Sequence, residues 1–396
     1  MTLTRVALIG VTLAACGEGT APKTPLSFSS VSAGGTYTCG ITVTNLAYCW
    51  GAGPALGNGS GGSSATPVPV SGGLSFSQVS VTTSAGGHSC GVTPTGVAYC
   101  WGENTKGELG KGDTTGSSTP VPVSGGLAFI SVSAGGGHTC GVTATGSAYC
   151  WGWNPYGQLG DSTTSDSPIP VAVFGGLTFA SLSAGDNYTC GVTTGHTAYC
   201  WGWNSPGTLG IGSASGPQTC SSAACSTVPL AVAGGLTFAE VSTAYSHTCG
   251  VTLAGVAYCW GLNNVGQLGN DTSTSGSATP LAVSGGLTFE IVGVSPGDHS
   301  CGVTTAGKAY CWGSNSVDQL GIGTAAGPQV CRTVTCSMTP VAVSGGLTFA
   351  ALGAGGNHTC AVTPGGAAYC WGLNLSGELG NGTTDNSSVP RRVTGS

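Results

Sequence analysis

One phrase, C-G-V-T-x-x-G-x-A-Y-C-W-G or a near variant of it, begins at Cys39, Cys90, Cys140, Cys190, Cys249, Cys301 and Cys360. The steps between copies are 51, 50, 50, 59, 52 and 59 residues. Self-similarity at this period means a row of equivalent supersecondary units, none of which can bury its apolar face alone. Each unit carries a P-x-x-V strand signal, as from Pro120 to Val123, followed by G-G-L-x-F, then V-S-A-G-G-x-H-T-C, and closes with W-G-x-N-x-x-G-x-L-G. About four short strands per unit, separated by glycine-rich turns and without a helical period, predict an all-β chain.

The central hairpin follows from one copy. Pairing Cys90 with Cys100 sets Gly91 opposite Tyr99, Val92 opposite Ala98 and Thr93 opposite Val97, leaving Pro94, Thr95 and Gly96 as the loop. Gly96 falls where a three-residue hairpin needs a left-handed residue. Asn45, Gly146, Gly255, Gly307 and Gly366 hold the same place, whereas the fourth copy has Gly195 one position early and His196 where glycine is expected. The two cysteines occupy a non-hydrogen-bonded pair, where the Cα atoms approach to about 4.5 Å and a disulfide fits.

The chain has 19 Cys. Seven hairpin pairs join Cys39 with Cys49, Cys90 with Cys100, Cys140 with Cys150, Cys190 with Cys200, Cys249 with Cys259, Cys301 with Cys311 and Cys360 with Cys370. Two further pairs, Cys220 with Cys225 and Cys331 with Cys336, leave only Cys16. That parity reads as nine local disulfides in an oxidising compartment. Zinc is the rival account, but its ligands come in closer pairs that converge four at a time, and hairpin cysteines on separate units stand apart.

The run A-G-G-x-H-T-C-x-V-T-x-x-G-x-x-Y-C-W-G-x-N-x-x-G-x-L-G resembles the repeat of the regulator-of-chromosome-condensation family over residues 26–396. The resemblance implies a seven-bladed β-propeller with about fifty residues per blade. The residues lead there independently: four-stranded antiparallel units leave exposed edges unless they close radially, and seven is a usual blade number. The segment Val389 to Gly395 carries the P-x-x-V signal, and Leu26-Ser27-Phe28 the L-x-F that follows it, so N- and C-terminal strands are expected to share one blade.

Residues 1–15 read as an export signal, with Arg5 before an apolar run from Val6 to Ala15. The run is too short to span a bilayer. Leu13-Ala14-Ala15-Cys16 resembles the bacterial lipobox, which implies a lipid on Cys16 and a short tether over 16–25. Gly17 after the cysteine favours the outer membrane in a diderm host, so the expected place is the cell envelope or cell surface, outside the cytoplasm. Losing Arg5 leaves seven Lys and Arg against 14 Asp and Glu, a net charge of −7. So few cations cannot build the footprint that nucleic-acid binding needs.

Five histidines, His88, His138, His247, His299 and His358, share one repeat position with Tyr37 and Tyr188. A ring of imidazoles suggests a metal, yet a histidine packed between blades and hydrogen-bonded there needs no ligand, and no metal or cofactor is expected. Trp50, Trp101, Trp151, Trp201, Trp260, Trp312 and Trp371 read as blade core. What departs from the repeat is more informative. Parallel insertions carry Gln218 with the Cys220 and Cys225 pair, and Gln329 with the Cys331 and Cys336 pair and Arg332; extra aromatics stand at Trp153, Tyr156 and Trp203. Rigid loops and exposed rings are where proteins hold partners or stack on sugars. Asp186, Asn187 and Asp298 precede the His/Tyr position. The two carboxylates are not spaced as a glycosidase pair.

No phosphate loop, nucleophile elbow, zincin or calcium motif is present, so no catalytic residue is assigned. The eponymous family member is a nuclear exchange factor that docks on chromatin and a small GTPase, and an export signal with a negative chain disfavours that role. The expectation is a monomeric, lipid-anchored, non-catalytic binding or scaffold module for a protein or glycan, touching the membrane only through its lipid. Inhibition of an enzyme such as a β-lactamase, as a secreted propeller of this family performs with its rim loops, is the first alternative. Action on polysaccharide is the second.

Overall fold

The computed structural model describes residues 25–82, 84 and 87–395. The leader and Cys16 lie outside these residues. Seven antiparallel sheets follow one another along the chain, five of them simple four-stranded meanders; blade 3, for example, runs Phe129–Ala134, His138–Thr143, Ala148–Gly152 and Ser167–Ala172. The first strand of each blade lines the axis and the fourth lies outermost, giving a seven-bladed β-propeller.

The hairpin register is the one expected: Cys90 faces Cys100, Gly91 faces Tyr99 and Val92 faces Ala98. The hairpin bridges are Cys39 to Cys49, Cys90 to Cys100, Cys140 to Cys150, Cys190 to Cys200, Cys249 to Cys259, Cys301 to Cys311 and Cys360 to Cys370, with Cα atoms 4.0–4.1 Å apart. The insertions add Cys220 to Cys225 and Cys331 to Cys336, each with Cα atoms 5.8 Å apart. Gly96 has φ +87° and Asn45 φ +63°, the left-handed geometry this loop demands. His196 adopts it too, at φ +63°, because the hairpin length is set by its strands and not by where glycine stands. A side chain there crowds its own backbone. His196→Gly should therefore raise stability by about 0.5–1 kcal/mol. A denaturation midpoint that falls in this variant would contradict the assignment.

The expected shared blade is corrected by the sheet order. Strand Ser387–Arg392 pairs with Ala368–Gly372 and completes blade 7, while blade 1 is built wholly from residues 28 to 69. The P-x-x-V segment lies beside the Cys-Trp-Gly strand that precedes it, as the outer strand of its own blade rather than the opening strand of the next. The ends still meet: Leu26 N–H donates to the Gly395 carbonyl, and Phe28, Trp50, Cys370, Leu379 and Val393 form one core between blades 1 and 7. The insertions also do more than lengthen loops. Gln218–Cys220 and Gln329–Cys331 add a short fifth strand to blades 4 and 6.

Between blades the same joint recurs. Trp201 Nε1 and Thr189 Oγ1 of blade 4 both donate to the Gln158 carbonyl of blade 3, at 2.9 Å each. Gly160 lies under that indole, where a Cβ would stand 2.6 Å from Nε1, which accounts for the final glycine of L-G. The equivalent tryptophan of every other blade reaches a carbonyl of its neighbour.

Candidate functional site

The five histidines are spent on these joints. Nε2 of His88, His138, His247, His299 and His358 stands 2.7–2.9 Å from a Ser or Thr hydroxyl of the next blade, at Thr139, Thr189, Ser300, Thr359 and Thr38. Tyr37 and Tyr188 reach Ser89 and Thr248 in the same way, at 3.0 Å. The circuit closes through all seven blades. Each hydroxyl gives its one proton to a carbonyl, as Thr139 does to Glu108 at 2.9 Å. The imidazole Nε2–H therefore donates and Nδ1 carries no proton. Burial pushes four of the imidazoles down to about 3 and His358 to about 4. Neutral rings divided among separate joints do not converge on a metal, and among the described residues no three His, Cys, Asp or Glu stand together as a ligand set.

The central channel encloses about 270 Å³. Its serines are likewise committed: Ser32, Ser80, Ser133, Ser183 and Ser242 each accept a backbone N–H from the next inner strand, at 2.9–3.2 Å. Glu240 projects there, its carboxyl raised by burial and its Oε1 accepting Val292 N–H at 3.0 Å. The channel thus serves to satisfy strand edges.

The two rims differ. In an up-and-down blade the turns between strands one and two emerge on the same rim as the loops between strands three and four. In blades 2 to 7 the latter loops are rigid, because the buried Asn of W-G-x-N clamps them: Asn154 Oδ1 accepts Leu159 N–H at 2.9 Å while Nδ2 donates to the Ser165 carbonyl at 3.0 Å. Both insertions rise from this rim. Gln218 and Gln329 are occupied within them, each Oε1 accepting the backbone N–H of Thr227 or Met338. Arg332 is exposed in a left-handed turn at φ +55°. Each insertion leans on the preceding blade: Ser221 donates to the Pro155 carbonyl, and the bridge from Cys331 to Cys336 packs on Val265.

Trp153, Tyr156 and Trp203 stand on that rim, half-buried. Trp153 meets Tyr156 edge-on at 5.8 Å, and Trp203 lies 6.4 Å from Tyr245, a half-exposed ring that sequence reasoning missed. Its signal was there, since most copies carry glycine at that turn position. Asp186 and Asn187 lie on the first turn of blade 4. Backbone hydrogen bonds hold these turns: Trp153 N–H donates to Gly137, Trp203 N–H to Asn187 and Asp186 N–H to Ala244. Asp186 lies over Gly136, leaving no room there for a Cβ, and accepts from Ser84 at 2.9 Å and Asn187 at 2.8 Å. Burial raises its carboxyl above the ordinary value. Asp298 is separate, on blade 6, where it accepts from Gln267 at 3.2 Å. The structure thus pairs Trp153 with Tyr156, gives Trp203 a different partner in Tyr245, and leaves Gln218, Gln329 and Arg332 on the insertions.

Closed blades, a neutral histidine circuit and irregularity confined to one rim define a disulfide-stapled propeller of the kind that serves as a binding or regulatory domain. The chain belongs to the RCC1-like domain family, whose profile matches residues 79–396. It is 32% identical over 173 residues to the ultraviolet-B receptor UVR8 of Arabidopsis thaliana, covering 43% of this chain and 37% of that protein. It is 28% identical over 155 residues to the probable E3 ubiquitin-protein ligase HERC4 of Homo sapiens, covering 39% of this chain and 14% of that protein. The matched segments thus span well under half of these relatives. Yeast RCC1 (Prp20) bound to Kap60 has a similar fold, with a TM-score of 0.75 at 19% identity over all of this chain and 91% of that one. Human WBSCR16 gives 0.70 at 22% identity, over 84% and 85% of the two chains.

Proposed function

We propose that the chain is a monomeric, lipid-anchored, non-catalytic recognition module outside the cytoplasm, presenting its insertion-bearing rim to a protein or glycan. The observation that carries this reading is the confinement of every large departure from the repeat to one rim: both bridged insertions and both aromatic pairs. Repeated positions hold the ring together; positions that break the repeat on exposed, rigid loops are free to recognise. Nine disulfides support an oxidising environment. Among the described residues no helix is long and apolar enough to cross a membrane. Yeast Prp20, similar in fold, is described bound to Kap60 and with binding properties to Gsp1p and histones, which supports binding as the mode of action while leaving the partner here to this chain's own rim.

Photocrosslinking in the native host tests the reading. A crosslinker at Arg332 or Thr219 should capture a partner, and one at Thr95 on the opposite rim should not. Adducts only from Thr95, or a Cys16→Ser chain that still takes up labelled fatty acid, would overturn it.

A further inference from the structure

Five positions on blades 3 to 5 break the repeat together. Trp153 and Trp203 stand where other copies have Ala, Glu, Leu or Ser, Tyr156 is the one ring at its place in the loop, and Asp186 and Tyr245 replace the glycine that the five other copies carry at that turn position. They lie on neighbouring blades of one rim: Trp153 paired with Tyr156, Trp203 paired with Tyr245, and the half-buried carboxyl of Asp186 on the first turn of blade 4. We propose that this arc binds a neutral polysaccharide, a reading that rests on the recognition role assigned to the rim and names its ligand class.

The chemistry separates a glycan from a protein. Protein hot spots place aromatic anchors inside a dry apolar seal, often with arginine. Here the carboxyl of Asp186 interrupts the apolar surface, and the segments 153–158, 186–188, 203–208 and 243–246 contain no Lys or Arg. A pyranose presents both surfaces this arc needs: C–H faces that lie on aromatic rings and hydroxyls that donate to a carboxyl. An anionic sugar would meet Asp186 with no cation to offset it. The rings are held in place, since Asn154 and Asn204 clamp the loops that carry Trp153 and Trp203. Little side-chain freedom therefore remains to be lost on binding.

The protein carries its own probe. Seven of its nine tryptophans are fully buried, so a collisional quencher reaches only Trp153 and Trp203. The purified full chain is examined by electrophoresis through gels containing hydroxyethyl cellulose, laminarin or dextran, with polygalacturonate as the charged control, and by acrylamide quenching with each polymer. Retardation by at least one neutral polymer, with reduced quenching, is expected. Trp153→Ala and Trp203→Ala should each weaken it about tenfold, as loss of an aromatic anchor does, while the buried tryptophans keep their native emission. No retardation by any neutral polymer, retardation by polygalacturonate alone, or unchanged binding in the double variant overturns the proposal. If crosslinks from Arg332 persist in that event, the rim still binds and only the glycan is excluded.

Discussion

Between pH 7 and pH 5 the melting temperature should fall by roughly 5–10 °C. The cause is the histidine circuit. Each of the five imidazoles has an ordinary value of 6.5 and is held at about 3 or 4 by burial. Above pH 6.5 neither state is protonated and nothing is lost; below it the unfolded chain binds protons that the folded chain refuses. Stability therefore falls as pH drops from about 6.5 toward 3, by up to about 1.4 kcal/mol per histidine per pH unit, or about 7 for all five. Glu108, Glu240, Glu378, Asp186 and Asp298, all raised by burial, act in the opposite sense and reduce the slope. Protonation inside the fold is costly because the new Nδ1–H of His138, His247, His299 and His358 finds no acceptor among the described residues. His138→Tyr, which copies Tyr37 and Tyr188, should flatten the pH dependence. A melting temperature that stays level from pH 7 to pH 5 would remove the basis for this account.

The second large effect is reductive. Every hairpin cysteine is fully buried, whereas Cys220 and Cys331 of the insertions keep slight exposure. Reductant without denaturant should release at most the four insertion thiols, of Cys220, Cys225, Cys331 and Cys336, and leave the near-ultraviolet signal of the buried tryptophans intact. Each hairpin bridge joins cysteines ten residues apart. Such a closure is worth about 3 kcal/mol in the chain-entropy model, so seven together exceed the whole stability of an ordinary domain. A fully reduced chain should stay unfolded at about 25 °C. Thiol counting beside circular dichroism decides the matter: a reduced chain with native tryptophan signal would show that the sheets suffice alone.

The blade was legible because its signals are local. Cys90 and Cys100 fix each other's register through the short hairpin between them, and Gly96 marks the loop. The phase of the blade was not, since a repeat looks alike wherever one begins reading it. Pro120 to Val123 could open one unit or close another, and only the pairing of Val121 with Cys100 decides. The insertions read as loops because a three-residue strand such as Gln218–Cys220 has too few positions to show alternation. Trp153, Tyr156 and Trp203 stood out as surplus aromatics; that Asp186 lies over Gly136 of the preceding blade and that Tyr245 meets Trp203 depends on contacts between blades.

The first strand, Phe28–Ala33, enters from the hairpin rim and ends at the turn where the aromatic rim begins. A lipid on Cys16 would thus hold the ring like a cup by its base, with the hairpins toward the bilayer and Trp153, Trp203 and both insertions facing away. Anchored as proposed, the molecule would sample whatever lies outward from the membrane.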